Sequence, residues 1–445
     1  MIKLNTDYEA VAVAVSGRSV GLFPGCVIGG VLVDKFGKYC HLMLALSLEI
    51  AAIVTVAVPW SPNVEVLWFL CFVGGLVESV INIAGQRIIL RLWLEKAATP
   101  MILLHSGYGI GSFLIPLYTN PFLAEKKPEN ETMSINATNA NLSLTSFTTS
   151  PTLVSTTGPE YITDSHIEYA YLISAALVAL HSLSFYYYQL REGRMNKNPS
   201  PTKVTIEMNS NSAMDTTSLK EKRTFLQMIN PGTCAGGRIG YGIQLFVLMF
   251  FYFANAGGGE RVVAGFIRSF SIDQLEFSKS DASYINTAFW ISFTVGRLSF
   301  SVAAKFISVR ILVLIQTGGL LTTSILLTIF ARSNSLAYWI LVQPLGIFIA
   351  PLWPTGVAWA DFHLELTGMG MMLILLGGSI GGISHLRIIG YLYEHIGAFT
   401  FLYQVIGYGA LAFVVAIFLN LVGSQHGSRF LWRKNESESE KRQNE

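Results

Sequence analysis

The sequence predicts an all-α polytopic membrane protein, and three observations support this fold class. Of its 445 residues, 51% are hydrophobic and only 13% are charged, whereas soluble proteins carry about 25% charged residues. The mean hydropathy is +0.48. Apolar runs of about 20 residues recur along the chain, and each is long enough to cross a hydrocarbon core of about 30 Å as a helix.

Eleven apolar spans follow one another, with a polar segment between the fifth and the sixth. Residues 191–238 are charged, contain Pro, Ser and Asn, and are poor in aromatics, which is typical of a flexible linker. We therefore predict an N-terminal half-bundle at 1–190, a cytosolic linker at 191–238, a C-terminal half-bundle at 239–420 and a cytosolic tail at 421–445. The predicted spans are 8–32, 41–59, 65–87, 99–121, 167–190, 239–257, 281–303, 311–330, 337–359, 367–390 and 398–420.

Basic residues predict the orientation, because cytosolic loops carry an excess of Lys and Arg. Loops 34–40, 88–98 and 304–310, together with the linker and the tail, hold most of the Lys and Arg outside the spans. Loop 122–166 falls on the opposite side and contains three N-glycosylation sequons, at Asn130, Asn136 and Asn141. Glycosylation occurs on the luminal and later extracellular face. Both arguments place this loop outside, and we expect a plasma-membrane glycoprotein.

Several function classes find no support in the sequence. The four cysteines form no CxxC pair, so neither a disulfide framework nor a zinc site is indicated. HExxH, G-x-S-x-G and Walker patterns do not occur, so we expect neither an enzyme nor a resident cofactor. A net charge of +2 spread over the loops gives no basis for binding nucleic acid.

A polar stripe interrupts the third predicted span. Glu78, Asn82 and Gln86 are spaced four residues apart, which places them along one face of a helix. A carboxylate at mid-bilayer costs about 2.5–3.5 kcal/mol, so such groups face the bundle interior or a wet cavity. Glu78 lies at the depth where transporters bind substrates and coupling ions. The alternative is a protonated, hydrogen-bonded packing residue, and the sequence does not choose between sodium and a proton.

The first predicted cytosolic loop carries a recognisable pattern, GVLVDKFGKY. It resembles the G-x-x-x-D-[RK]-x-G-[RK]-[RK] signature of the major facilitator superfamily, with the final position as the one departure. The Asp of this pattern can form a charge-assisted contact with a neighbouring helix end that re-forms in each transport cycle. We therefore predict a conformational-switch loop made by Gly30, Asp34, Lys35, Gly37 and Lys38.

The resemblance implies the major facilitator fold, which has two half-bundles of six spans each. In that superfamily the signature loop follows the second span, but only span 8–32 precedes it here. The sequence thus shows eleven of the usual twelve spans, and the first one is missing. Our hypothesis is that the sequence is an N-terminally truncated gene model or isoform.

Other segments resemble a narrower group, the fucose–proton symporters and their animal relatives. These relatives are the sodium-dependent glucose transporter 1 and major facilitator superfamily domain-containing protein 4 group. GGLVESVIN resembles the G-L-x-x-[ED]-[ST]-x-x-N motif in the fourth span of that group. The resemblance continues, in the expected order, through 104–125, 289–299, 353–355 and 377–397. It implies a sodium-coupled symporter of glucose or a similar hexose.

The polar residues and the resemblance together predict a central binding site. Its candidate residues are Glu78, Asn82, His105, Asn255 and Trp353. Glu78 is also the candidate sodium ligand, while the others would contact sugar. Structural roles remain open, since His105 also suits a hydrogen-bonded core and Trp353 suits plain packing. Asn255 precedes the run GGG, which we interpret as a helix break beside a cavity.

Two departures keep other functions open. The bacterial symporters carry a carboxylate in the first span, and their seventh span has Y-x-x-x-E, where this chain has Tyr252 followed by Ala256 and then Glu260. The alternatives are a proton-coupled or uncoupled carrier of another sugar or small polar solute, and a non-transporting receptor or regulatory fragment. Arg18 either extends toward the interface or acts as counter-ion to Glu78, and we interpret Arg297 as a clamp between helices. A sugar and the lipid bilayer are the expected partners of a monomer.

Overall fold

The computed structural model describes residues 8–122, 165–197 and 230–432 of the protein, and in these ranges every regular element is helical. The sequons at Asn130, Asn136 and Asn141 and most of the predicted linker lie outside the described residues. The long helices are α1 (Tyr8–Lys35), α2 (Cys40–Ala57), α3 (Val64–Trp93), α4 (Ala98–Thr119), α5 (Ile167–Lys197), α6 (Ile239–Asp273), α7 (Lys279–Ala303), α8 (Val309–Phe330), α9 (Ser335–Ile349), α10 (Leu352–His363), α11 (Gly368–His395) and α12 (Thr400–Ser424).

Each of the eleven predicted spans coincides with a long helix, or with the pair α9 and α10. By length and composition, nine helical segments of the described residues are apolar enough to cross a membrane. Helices α4 and α7 are not among these nine. Helix α7 carries Lys279, Asp281 and Arg297 together with many Ser and Thr residues. The all-α membrane fold predicted from the sequence is therefore confirmed.

Two half-bundles are formed by α1–α5 and by α6–α12. In the first, α3 packs on α1 and α2, and α2 packs on α5. In the second, α6 packs on α11 and α12, while α8 packs on α12 and α7 on α9. The half-bundles meet where α1 lies against α11 and where α4 lies against α7 and α10.

Helix α6 is longer than its predicted span and corrects one expectation. It runs for 35 residues without a break, although we predicted that Gly257–Gly259 would interrupt it. These glycines lie in close helix contacts instead. A Cβ on Gly258 would stand 2.6 Å from the carbonyl oxygen of Gly381, and one on Gly259 would stand 2.3 Å from the Tyr408 ring. The glycine run therefore brings α11 and α12 close to α6.

The contact between α6 and α11 predicts the effect of adding one methyl group. A Cβ at Gly381 would stand 1.8 Å from the Ala254 carbonyl oxygen, so Gly381→Ala must push the two backbones apart. We expect a lower unfolding temperature in detergent, with a loss of about 1–3 kcal/mol or more. Gly390→Ala on the same helix is the matched control, since its Cβ would meet no atom within 4 Å. Equal unfolding temperatures for the two variants would contradict this packing.

The ninth predicted span is broken between α9 and α10. Pro354 has no N–H to donate to the Ala350 carbonyl four residues earlier, and the chain leaves the helix at residues 350 and 351. The Nε of Arg297 donates to that carbonyl oxygen at 2.9 Å. The Tyr252 hydroxyl donates to the Leu352 carbonyl oxygen at 2.9 Å. Side chains from α6 and α7 thus bind the carbonyl groups at the break.

The start of the predicted tail is packed against the C-terminal half-bundle. Arg429 donates through Nη2 to Asp361 Oδ2 at 2.7 Å and through Nε to the Asp361 carbonyl oxygen at 2.5 Å. The two side chains are only 8% and 3% exposed. His363 donates from Nδ1 to the Gly427 carbonyl oxygen at 2.9 Å. These contacts fix the chain after α12 to the C-terminal end of α10.

Candidate functional site

Glu78 lies halfway along α3 and is paired with an arginine of α1. Arg18 Nε donates to Glu78 Oε2 at 2.7 Å, and the side chains are 63% and 35% exposed. A guanidinium is costly to place in lipid, so we expect this exposed pair to face water. Of the two roles considered for Arg18, the structure shows the counter-ion to Glu78.

The other members of the polar stripe have different surroundings. Asn82 donates from Nδ2 to the Glu78 carbonyl oxygen of its own helix at 3.0 Å. Gln86 is only 1% exposed, and within the described residues neither atom of its amide has a hydrogen-bond partner. Each step of four residues rotates the side chain by about 40° around a helix with 3.6 residues per turn. The stripe therefore turns from the partly exposed Glu78 into the helix packing at Gln86.

His105 and Arg297 join the two half-bundles. Arg297 of α7 is 3% exposed and donates from Nη1 to the His105 carbonyl oxygen of α4. Its guanidinium also lies over the Phe293 ring, 4.4 Å from the centroid. Together with its bond to Ala350, Arg297 connects α4, α7 and the break before α10, as the interpretation of a clamp predicts. Nε2 of His105 is buried and has no partner among the described residues.

Asn255 and Trp353 lie inside the C-terminal half-bundle. Asn255 is 2% exposed, and its Nδ2 donates to the Tyr408 carbonyl oxygen at 3.0 Å. Trp353 packs edge-on against Phe253, with ring centroids 4.9 Å apart, and it fills the space above Gly378. The structure does not bring either side chain into contact with Glu78, and their roles in binding sugar remain predictions.

The structure adds one residue that the sequence analysis did not place beside Arg297. Tyr108 of α4 is 56% exposed, and the Arg297 guanidinium of the other half-bundle lies over its ring, 5.5 Å from the centroid. Its ring meets Trp290 edge-on, with centroids 6.0 Å apart. The position of Tyr108 beside Trp290 and Arg297 depends on how the half-bundles pack, so the sequence could not predict it.

The switch loop contacts the other half-bundle at the predicted cytosolic end. Asp34 accepts hydrogen bonds from the backbone N–H groups of Gly368 at 2.6 Å and Met369 at 3.0 Å, which are the first residues of α11. Arg87 donates to the Leu366 carbonyl oxygen beside them. The carboxylate stabilises a helix N-terminus, where backbone donors and the helix dipole favour negative charge. The contact between Asp34 and a helix end, predicted from the loop pattern, is present.

The remaining loop residues have smaller roles. Lys35 and Lys38 lie over the neighbouring Phe36 and Tyr39 rings, 5.5 and 4.8 Å from the centroids. Gly37 shows no positive φ, so the turn itself does not require glycine. Gly30 does need its small size, because a Cβ there would stand 2.9 Å from the Gly368 carbonyl oxygen. The switch role of the loop remains a prediction.

Asp34→Asn provides a test of that role. The asparagine amide has no charge and one acceptor fewer than the carboxylate. We therefore expect the equilibrium constant for opening of the predicted cytosolic end to rise about tenfold or more, which corresponds to the free energy of one charge-assisted hydrogen bond. Cys234 reports the opening, since it is buried beside Thr367 and burial raises the pKa of its thiol. Maleimide labelling of Cys234, with the other cysteines replaced by alanine, should be faster in Asp34→Asn. Lys96→Gln, at an exposed position of the next predicted cytosolic loop, should leave the rate unchanged, and equal rates in all three proteins would contradict the role.

No cluster of metal ligands accompanies Glu78. Within the ranges described, no group of three or more His, Cys, Asp or Glu side chains could hold a metal ion. Sodium binding at Glu78 would therefore need backbone carbonyl groups, hydroxyl groups or water as further oxygen ligands. The structure thus shows a carboxylate paired with Arg18. It also shows hydrogen bonds between the side chains of Asp34, Arg87 and Arg297 and backbone groups of the other half-bundle.

Comparison with known proteins agrees with the resemblance seen in the sequence. No model of a protein family matches the chain. Human sodium-dependent glucose transporter 1 is 24% identical over 87% of this chain and 68% of its own length. Mouse major facilitator superfamily domain-containing protein 4A is 23% identical over 89% of this chain and 82% of its own length.

Two solved sugar symporters share the fold. A variant of the E. coli fucose:proton symporter FucP has a TM-score of 0.65 and 12% identity, and covers 93% of this chain and 91% of its own. The proton:xylose symporter XylE, bound to 6-bromo-6-deoxy-D-glucose, has a TM-score of 0.64 and 12% identity, covering 93% and 87%. The chain has the major facilitator fold, as predicted.

Proposed function

We propose that this chain, which has the major facilitator fold, is a secondary transporter that carries glucose or a similar hexose by alternating access and is coupled to sodium. The ion pair between Arg18 and Glu78 carries the proposal. Glu78 lies midway along α3, at the depth where transporters bind substrates, and the two side chains are 63% and 35% exposed. The names of the related proteins, which describe glucose transport with sodium dependence and sugar–proton symport, support the choice of solute.

The contacts at the predicted cytosolic end provide the second half of an alternating cycle. Asp34, Arg87 and Arg297 each hydrogen-bond across the half-bundle interface, while the pair at Glu78 stays accessible. For a solute bound at Glu78 to leave on the cytosolic side, these bonds must break. Alternating access requires a stable state in which one side is closed. It also requires that the contacts closing that side are few enough to break when the half-bundles move apart.

Glu78 would couple the ion to the sugar by changing partners. Sodium would compete with Arg18 for the carboxylate oxygens, and sugar hydroxyl groups would donate to the same oxygens. A specific observation also favours a second candidate, an uncoupled carrier. Arg18 already neutralises Glu78 at 2.7 Å, and a neutralised carboxylate can contact sugar without any coupling cation.

Uptake of labelled glucose into proteoliposomes, with sodium or choline outside, separates these functions. We expect saturable uptake that is faster with sodium, and Glu78→Gln should remove the sodium effect and lower kcat/KM about tenfold or more, the value of a charge-assisted hydrogen bond. Glu65→Gln, in the first turn of α3, is the matched control and should behave as wild type.

The outcomes differ for each claim. Saturable uptake at the same rate with sodium and with choline would contradict sodium coupling and favour the uncoupled carrier. Uptake that survives Glu78→Gln unchanged would remove this residue from the site. A protein that is folded and takes up no hexose under either condition would contradict transport of hexose.

A further inference from the structure

A carboxylate other than Glu78 lies at the centre of a membrane span. Glu49 of α2 is at the middle of the helical stretch Gly37–Trp60, which has 24 residues and is apolar enough to cross a membrane. With a rise of about 1.5 Å per residue, about 17 Å of helix lie on either side of Glu49. Because the hydrocarbon core is about 30 Å thick, this carboxylate lies near the midplane of the bilayer.

Glu49 has one hydrogen-bond partner among the described residues. The Tyr186 hydroxyl of α5 donates to Glu49 Oε2 at 2.9 Å. The two oxygens of an ionised carboxylate offer about four sites that accept hydrogen bonds, so one tyrosine satisfies only part of the group. The ion pairs in the described part of the chain involve other residues. Glu49 therefore has no cationic partner there.

Glu49 and Tyr186 lie at the edge of the contact between α2 and α5. On one side of Glu49, Ala45 and Ala52 are buried, as is Ser182 near Tyr186. On the other side, four aliphatic side chains lie three or four residues from Glu49 or Tyr186, and all four are exposed. They are Leu46 and Ile53 of α2 and Leu183 and Leu190 of α5. These four residues, with Glu49 and Tyr186, form a surface that we call the Glu49 face.

A carboxylate beside such an apolar surface requires a partner that the described residues do not supply. Exposed aliphatic side chains at this depth face hydrocarbon, and placing a carboxylate at the centre of a helix costs about 2.5–3.5 kcal/mol. Lipid headgroups lie about 15 Å from the midplane, too far to serve as the partner. The same face of a second copy would bring another carboxylate, because residues of an isologous interface meet their own equivalents.

We propose that the Glu49 face binds a membrane-spanning helix of another protein, and that a lysine or arginine at the middle of that helix pairs with Glu49. A basic side chain provides the opposite charge and the donors that Glu49 Oε1 lacks. The four aliphatic side chains pack against the apolar remainder of the bound helix. Because the pair must form at the midplane, the face selects partner helices by the depth of their basic residue.

The Glu49 face is separate from the contacts that join the two half-bundles. Those contacts are made by α1 with α11 and by α4 with α7 and α10, whereas the face belongs to α2 and α5. A helix bound there leaves the pair of Arg18 and Glu78 and the contact of Asp34 with α11 in place. The partner therefore stays bound while the half-bundles move.

The test uses two synthetic peptides that span the membrane, each a run of leucine and alanine with a donor fluorophore. One peptide has a lysine at its centre, and the other has leucine there. The purified full chain, labelled with an acceptor at its C-terminus, is reconstituted with either peptide in phosphatidylcholine liposomes, and energy transfer measures association. We expect the dissociation constant of the lysine peptide to be about threefold lower or more, as for one polar contact between membrane helices.

Variants locate the site of this association. Glu49→Gln should remove the preference for the lysine peptide, because the amide has no charge and still accepts from Tyr186. Tyr186→Phe keeps the carboxylate and loses only the internal hydrogen bond, so it should retain the preference. Glu65→Gln, at an exposed position in the first turn of α3, is the matched control and should behave as wild type.

Each outcome decides the proposal without reference to sugar transport. A preference for the lysine peptide that Glu49→Gln removes supports it. Equal association of the two peptides with the wild-type protein overturns it, and this comparison needs no variant to fold. A preference that survives Glu49→Gln places the contact elsewhere and also overturns it. Energy transfer between donor-labelled and acceptor-labelled copies of the chain, abolished by Glu49→Gln, would make a second copy the occupant and overturn the proposal.

Discussion

Arg429→Met should unfold at a much lower temperature than the wild-type protein, because it leaves the Asp361 carboxyl group buried without its counter-charge and its hydrogen-bond donor. Arg429 provides both the charge and two hydrogen bonds to Asp361, and the pair is almost wholly removed from solvent. Removing one partner of a buried ion pair costs about 3–5 kcal/mol. We expect the effect as a loss of several degrees in thermal unfolding in detergent.

A second substitution distinguishes the buried charge from a general effect of the tail. Asp361→Leu combined with Arg429→Met replaces the pair by apolar groups, which is often neutral or stabilising. The double variant should therefore regain most of the lost stability. Lys305→Met, at an exposed position of the same half-bundle, should unfold as wild type. A double variant no better than Arg429→Met alone would show that the ion pair is not the reason for the loss.

Arg297→Gln should give the second large effect, on both stability and transport. The shorter side chain cannot reach the Ala350 and His105 carbonyl oxygens together, and each buried carbonyl without a donor costs about 1–3 kcal/mol. The clamp between α4 and the helix break is lost at the same time. We expect a lower unfolding temperature and reduced uptake at saturating hexose, whereas Arg387→Gln, an exposed arginine of α11, should change neither.

The helix break offers a rescue of this variant. Pro354→Ala supplies a backbone N–H that can donate to the Ala350 carbonyl. This carbonyl is the acceptor that loses its donor in Arg297→Gln. Adding Pro354→Ala to Arg297→Gln should therefore recover part of the stability but not the connection to α4. The two substitutions should be non-additive, as residues sharing one partner are. Strict additivity would mean that Arg297 and Pro354 do not act on the same carbonyl.

The sequence predicts the helices well and the faces of those helices poorly. Apolar runs locate every long helix because a membrane helix must be apolar over about 20 residues. The same requirement hides which face is inside, since lipid and helix packing both accept apolar side chains. Asn255 illustrates the limit. Its depth in α6 could be read from the sequence, but its hydrogen bond to Tyr408 depends on the rotation of α6 against α12.

The sequence also predicts the partners of charged residues only in part, because those partners depend on how the helices pack. The loop pattern indicates that Asp34 contacts a helix end, and the structure adds that this end belongs to α11, more than 300 residues later. Arg18 and Glu78 lie 60 residues apart. The sequence left two roles open for Arg18, extension toward the interface or pairing with Glu78, and only the fold chooses between them. Arg429 gave no signal in sequence, because an arginine in a polar tail is ordinarily solvated and only the folded chain shows its burial.

The polarity of α7 has a consequence for how the protein is made. Helix α7 carries Arg297 near its C-terminal end and Lys279 and Asp281 at its N-terminal end. Such a helix partitions weakly into lipid as it leaves the ribosome. Its neighbours α4 and α6 are synthesised earlier, and they supply the His105 carbonyl and a wall for packing. When α7 is synthesised, α4 and α6 are therefore already present and can pack against it, whereas α9 and α10 are made later. Insertion of α7 into the bilayer depends on that earlier-made surface as well as on the hydropathy of α7 itself.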